Sequence, residues 1–289
     1  MAGNRLFATF LRVADSARYR RGVRNVPLAE TDGLDRAVLA IGTDYPPDHL
    51  LPFHRHRRAQ FLYAATGVMQ VETEDGAWSV PTHRAVLIPP TTSHQVTMVG
   101  VSTRSLYIEP GAVPWFPRDC RVVDVSALLR ELVLDAVDMD PRYPEHGRDA
   151  TVIQLILHEI RNLTPLPLDV PLPADEGLRR LCDAFLLAPD IHDPPARWAA
   201  ALHVSERTLG RLFRAGTGLS FTQWRRRACV LHSLRHLAAG APVTRVAATL
   251  GYENPAAFTA AFGSVVGRPP TAYGAVAVAR ADDDGDVRS

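Results

Sequence analysis

No run of about 18 apolar residues occurs anywhere in this 289-residue chain, which argues against a membrane-spanning helix. Cysteine is scarce. Cys120, Cys182 and Cys229 are widely spaced and odd in number and form no Cys-x-x-Cys, which argues against a disulfide framework and a thiolate zinc site and fits a reducing cytoplasm. Lysine is missing altogether, so arginine supplies all 32 basic side chains, a bias read as the composition of a GC-rich genome. No nucleophile-base-acid constellation, Walker-type loop or dinucleotide glycine fingerprint is found, so an enzyme is not expected. The N-terminus carries Arg5, Arg12 and a cluster from Arg18 to Arg24 around Leu6 to Leu11. That stretch lacks a uniform apolar core and an Ala-x-Ala-like cleavage site, so export is not expected either.

What is present is a globular composition, 46% hydrophobic and 22% charged, in a chain long enough for two domains. The net charge of +1 conceals an asymmetry. Residues 1–173 hold 18 arginines against 20 acidic residues, whereas residues 194–275 hold 10 arginines against Glu206 and Glu253 alone. A basic C-terminal module joined to a faintly acidic N-terminal one points to a polyanion met by the C-terminal part only.

Short β-rich runs, Ala37–Ile41, Gln60–Tyr63, Val68–Glu72 and Arg84–Ile88, alternate with turn signals such as Glu74-Asp75-Gly76 and suit a small antiparallel β-barrel. Beyond it, Val125, Leu128, Leu129, Leu132, Val133 and Val137 repeat at helical spacing, as do Val152, Ile153, Leu155, Ile156 and Ile160. These two helices either close over the barrel or pair with a second chain. Pro165, Pro167, Pro171 and Pro173 then predict an extended connector. The rest reads as all-α, with helices over 175–187, 196–202, 205–214, 221–239, 244–250 and 255–265, followed by an acidic, solvated tail.

Trp198 to Phe213 has the spacing of a helix-turn-helix. Ala199 allows close crossing, Leu202 and Val204 bracket the turn, Ser205 caps the second helix, and Leu209, Leu212 and Phe213 form its buried stripe. The opposite face presents Glu206, Arg207, Gly210, Arg211 and Arg214, cationic groups of the kind that pair with guanine edges in a major groove. The pattern recurs about 49 residues later, with Ala247 for Ala199, Gly251 for His203, Phe258 for Leu209 and Phe262 for Phe213. Its second helix exposes Asn254, Ala256, Thr259, Ala260 and Gly263.

These residues carry a specific resemblance. Ser205-x-x-Thr-Leu-x-Arg-Leu-Phe213, Gly218-Leu-Ser220 and Ala247-x-x-Leu-Gly-Tyr252, continued by Phe258, Phe262, Gly267, Pro270 and Tyr273, make the stretch from about Leu178 to Tyr273 similar to the DNA-binding domain of bacterial AraC/XylS-family transcription regulators. The resemblance implies two reading helices in successive major grooves, with Ser205, Glu206, Arg207, Arg211, Arg214, Asn254 and Thr259 as candidate DNA contacts. His203 stands where the family usually has Gly, which requires a left-handed backbone. The second reading helix lacks a cation, so sequence reading is expected mainly from the first unit. One or more of Arg225, Arg226 and Arg227 is expected to be structural rather than a phosphate contact.

In the N-terminal half, His54-Arg-His56-x-x-x-Gln60 with Gly67, and Pro89-Pro-Thr-Thr-Ser-His94, resemble the two motifs of the cupin superfamily. Two His at i and i+2 on a strand share one face, and imidazoles suit transition metals. The resemblance implies a cupin-like barrel with His54, His56, Gln60 and His94 lining an effector pocket or a divalent transition-metal site. Gln60 replaces the anionic Glu and Thr91 the usual Gly, both unfavourable to metal. Arg55, Arg57 and Arg58 are expected on a solvated edge, and His49 and His83 are ordinary.

Together these features predict an arm over 1–36, a cupin-like sensor barrel over 37–110, a helical segment over 111–164 suited to dimerisation, a Pro-rich linker over 165–173, an AraC-type DNA-binding domain over 174–275 and a tail over 276–289. The expected function is that of a cytoplasmic regulator binding double-stranded promoter DNA under a small-molecule effector, as a homodimer, with RNA polymerase a further partner and no membrane. A metal-dependent cupin enzyme with a helical appendage, or a DNA-bridging protein without effector, are the alternatives.

Overall fold

The computed structural model describes residues 27–46 and 48–273; the arginine cluster before residue 27 and the acidic tail lie outside them. Alternation along strands sets the layers of the N-terminal half. The strands β1 (Val38–Asp44), β2 (His49–His54), β3 (Ala59–Ala64), β4 (Val68–Glu72), β5 (Gly76–Pro81), β6 (Arg84–Ile88), β7 (His94–Val99) and β8 (Ser102–Ile108) pair antiparallel throughout. In β3, Leu62 and Ala64 face the space between two sheets while Ala59, Phe61 and Tyr63 face outward, and β6 divides likewise. Apart from Gln60 and Arg84, both strands are apolar throughout because both of their faces are buried.

Their outer face is covered by α1 (Ala127–Val137) and α2 (Arg148–Arg161), whose Leu129, Val133, Ile153 and Ile156 pack on Phe61, Ala85 and Leu106. The two helices therefore close over the barrel, and of their large apolar side chains Leu128 and Leu155 remain exposed on the far side.

The segment read as helical and then as a free linker contains three further strands. β9 (Arg121–Asp124) pairs with β6, β10 (Pro165–Leu166) with β9, and β11 (Asp169–Pro171) with β5. The sheet orders are β1-β8-β3-β6-β9-β10 and β11-β5-β4-β7-β2, so β10 and β11 are both edge strands. Proline is tolerated there because an edge position needs no ladder N–H on its outer side. The proline-rich segment is thus a strap stitched to both sheets.

The remaining helices are α3 (Glu176–Leu187), α4 (Pro195–Ala201), α5 (Glu206–Thr217), α6 (Phe221–Ala238), α7 (Val243–Thr249) and α8 (Pro255–Val266), close to the spans that periodicity predicts. None of the described helices is long and apolar enough to cross a membrane. Trp198 is buried among Phe185, Phe213, Phe221 and Trp224, with ring centroids 5.1–5.9 Å away, and its indole N–H donates to Asp193 Oδ2 at 2.7 Å. Tyr252, Phe258, Phe262 and Tyr273 form the equivalent chain in the second unit, at 5.4–5.7 Å. Both turns need a left-handed residue. His203 adopts φ 54° and Gly251 φ 79°, and a Cβ at Gly251 would lie 2.4 Å from Asp190 Oδ1, so only glycine fits the second turn.

The two halves share one apolar core. α6 lies against the sheet containing β4, β5 and β11, where Trp224 Nε1–H donates to Pro171 O at 2.8 Å and Arg227 pairs with Asp169 at 3.2 Å.

Candidate nucleic-acid interface and effector site

α5 is a well-bounded helix. Ser205 Oγ accepts from Thr208 N at 3.2 Å, Gly218 ends the helix at φ 73°, and Leu209 and Phe213 anchor it in the core. That anchoring leaves Glu206, Arg207, Arg211 and Arg214 exposed on the other face. Among the described residues, none of these three arginines has a carboxylate within ion-pairing distance, whereas Arg58, Arg84, Arg179, Arg180, Arg197 and Arg227 are each paired. α8 is capped by Asn254, whose Oδ1 accepts from Ala257 N at 2.8 Å, and exposes Thr259 beside small side chains. Ser205 and Asn254 therefore already serve as helix caps.

The arginine triplet divides as its surroundings dictate. Arg225 donates to Asp193 O and lies over the Phe221 ring at 5.4 Å, and Arg227 pairs with Asp169, so both are structural. Arg226 alone of the three is exposed.

In the N-terminal half the histidines do gather. The His54 and His94 rings are 4.3 Å apart, His56 and His94 5.3 Å, and His54 and His56 6.3 Å. The strand geometry expected for His54 and His56 does not hold, because β2 ends at His54 after an irregularity that shifts its register with β7. His56 is instead fixed by its own loop. Its Nδ1–H donates to Arg58 O at 2.6 Å, its Nε2 faces the Gln60 side-chain amide at 3.1 Å, and its ring meets Tyr107 edge-on at 5.1 Å. Gln60 is buried and its Nε2–H donates to Ser105 Oγ at 3.2 Å.

His54 Nδ1 and His94 Nδ1 likewise face backbone carbonyls, Pro52 O at 2.8 Å and Thr92 O at 2.9 Å. A carbonyl only accepts, so each Nδ1 carries the proton. Burial holds His94 down at about 4 and also lowers His56, so both rings are neutral at pH 7. His94 Nε2 is then a buried acceptor, and it has no partner among the described residues. A divalent metal does not fit this donor set. Among the described residues no group of three or more His, Cys, Asp or Glu side chains is placed to hold one, and no carboxylate joins the cluster.

Two neighbouring features escaped the sequence reading. Arg58 is not on a solvated edge but fully buried, bonded to Asp32 Oδ1 at 3.0 Å, Leu34 O at 2.9 Å and Arg36 O at 2.8 Å, and it ties the chain before β1 to the barrel. Arg57 beside it pairs with Glu109 at 2.7 Å. Thr91, whose N–H donates to His56 O at 2.9 Å, adopts φ 62°, a left-handed conformation that a β-branched residue rarely takes. Thr91→Gly should therefore raise stability by about 1 kcal/mol in urea unfolding, less what glycine loses by loosening the unfolded chain. An unchanged or lower midpoint would mean that Thr91 contacts outweigh its strain.

Known proteins share both halves. A family model described as an AraC-like ligand binding domain matches residues 37–137, and a helix-turn-helix domain model matches residues 198–275. The HTH-type transcriptional regulator NimR of Escherichia coli (strain K12) is 32% identical over 247 residues, covering 84% of this chain and 90% of its own length. Among solved structures, an apo variant of ToxT from Vibrio cholerae covers 83% of this chain and 97% of its own at 11% identity and a TM-score of 0.35. The C-terminal domain of AraT, a response regulator from Geobacillus stearothermophilus, covers 33% of this chain and 80% of its own at 23% identity and a TM-score of 0.31.

Proposed function

The chain belongs to the AraC family of transcription regulators, with a ligand-binding domain followed by a helix-turn-helix DNA-binding domain, and on that premise we propose that α5 reads the operator and that the His54–His94 cluster receives the effector. The protein is an effector-controlled DNA-binding regulator. The observation that carries the assignment of α5 is its row of exposed arginines, Arg207, Arg211 and Arg214, on a helix whose other face is locked in the core. Arg can bond bidentately to guanine in a major groove, whereas α8, with Asn254 and Thr259 among small side chains, suits phosphate, methyl and shape contacts. Arg207→Ala or Arg211→Ala should cost about 1 to 3 kcal/mol of operator affinity and relax preference at one base pair in a binding-site selection. Equal loss on operator and random DNA would instead make that arginine a phosphate contact.

The effector reading rests on the unpartnered His94 Nε2 beside the His54 and His56 rings. A cluster that offers acceptors selects a ligand head that donates, such as an N–H or O–H. We read the protein as non-catalytic and as working in the cytoplasm, on promoter DNA. The exposed Leu128 and Leu155 on the outer side of α1 and α2 support pairing with a second copy.

A further inference from the structure

Two histidines of α6 meet far from the cluster of the N-terminal half. His232 and His236 stand at i and i+4, so their side chains share one face of the helix, and both are half-buried. His232 lines a cleft of about 410 Å³ beneath α6, which opens the pair to solvent. The ring centroids are 5.1 Å apart, but the two Nε2 atoms are only 3.2 Å apart, so the rings lean together at their tips.

That short contact is not a hydrogen bond between the rings. The Arg235 guanidinium, which can only donate, reaches His232 Nε2 at 2.9 Å and His236 Nε2 at 3.4 Å. Both Nε2 atoms are therefore acceptors, and each ring carries its proton on Nδ1. His232 hydrogen-bonds the Leu186 backbone, which fixes the same tautomer, because its Nε2 is already engaged. Burial lowers both imidazoles, so neither takes up a second proton at pH 7. Two lone pairs thus point at one cation, and the charge of Asp48 favours a cation at the same place.

We propose that His232 and His236 form a two-histidine site for a divalent late transition metal, Cu²⁺ most tightly, which takes the place that the Arg235 guanidinium now fills. Metal–imidazole bonds of about 2.0 to 2.1 Å across the 3.2 Å separation give an angle of about 100 to 106° at the metal, between those of a square plane and a tetrahedron. Arg235 is exposed, so its side chain can swing into water without moving the helix. Among the described residues no third His, Cys, Asp or Glu is placed to join the pair, and water completes the shell. Because α6 joins the two helix-turn-helix units, a bound metal ties successive turns of that helix together and stabilises the folded chain by mass action. The site does not depend on the role given to His54, His56 and His94.

The test uses tag-free full-length protein titrated with Cu²⁺ and with Ni²⁺ by calorimetry, and electron paramagnetic resonance of the Cu²⁺ form. Wild type should show a site whose Cu²⁺ spectrum carries coupling to two imidazole nitrogens. His232→Gln and His236→Gln should each weaken that site by about tenfold or more and remove the two-nitrogen signature while leaving the circular dichroism unchanged. Arg235→Ala should tighten it by about threefold or more, because a competing cation is gone, and His94→Gln should leave it unchanged. Equal affinity and spectrum in the folded His232→Gln and His236→Gln variants, or binding no tighter in Arg235→Ala, would overturn the proposal.

Discussion

Trp224→Ala should lower the unfolding free energy of the helical half by about 3 to 5 kcal/mol, the usual cost of removing a fully buried aromatic ring. Trp224 has no measurable exposure and packs against Phe185 at 5.5 Å, Phe213 at 5.6 Å and Trp198 at 5.9 Å, so its loss opens a cavity bounded by other large rings that cannot collapse into it. It also holds the two halves together through Pro171 O. Trp224→Phe separates these roles, since it keeps most of the packing and removes only the donor, at about 1 kcal/mol. Urea unfolding of the full chain followed at 222 nm gives both values. A Phe variant as unstable as the Ala variant would place the energy in the hydrogen bond to the strap rather than in the aromatic cluster.

Acidification should destabilise the N-terminal domain by about 2 kcal/mol by pH 5 and about 3 kcal/mol by pH 4 through His94 alone. The folded-state value of about 4 lies below the ordinary 6.5, so the unfolded chain takes up the proton first. Stability is therefore fully present above about pH 6.5 and is lost as the pH falls toward 4. His56, lowered for the same reason, adds in the same direction, as does His232 at the domain junction, which is held down at about 3. His94→Gln cannot titrate, so its stability difference from wild type should shrink by about these amounts between pH 7 and pH 4. Parallel curves for the two proteins across that range would show that His94 is not held neutral in the fold.

What the sequence determined by itself is what depends on near neighbours. Helical period, caps and turn residues act within a few positions, so Ser205, Gly218, Asn254 and Gly251 announce their helix ends, and the spaced aromatic and small residues of both helix-turn-helix units announce their family. The left-handed turn at His203 was legible for the same reason, whereas the meeting of His54, His56 and His94, distant in the chain, was legible only through the resemblance to cupin motifs. What only the tertiary structure decided is what depends on distant partners. Arg58 reads as one of three surface arginines until Asp32, Leu34 and Arg36 close around it from the chain before β1. Pro165 to Pro171 reads as a linker until β9 and β5 present open edges for it to join. Arg225, Arg226 and Arg227 are alike in sequence, and only the positions of Asp193 and Asp169 make the first and third structural and leave the second exposed. The cleft beneath α6 has no sequence signature, because its walls come from residues far apart in the chain that meet only when the sheet and the helix are packed together.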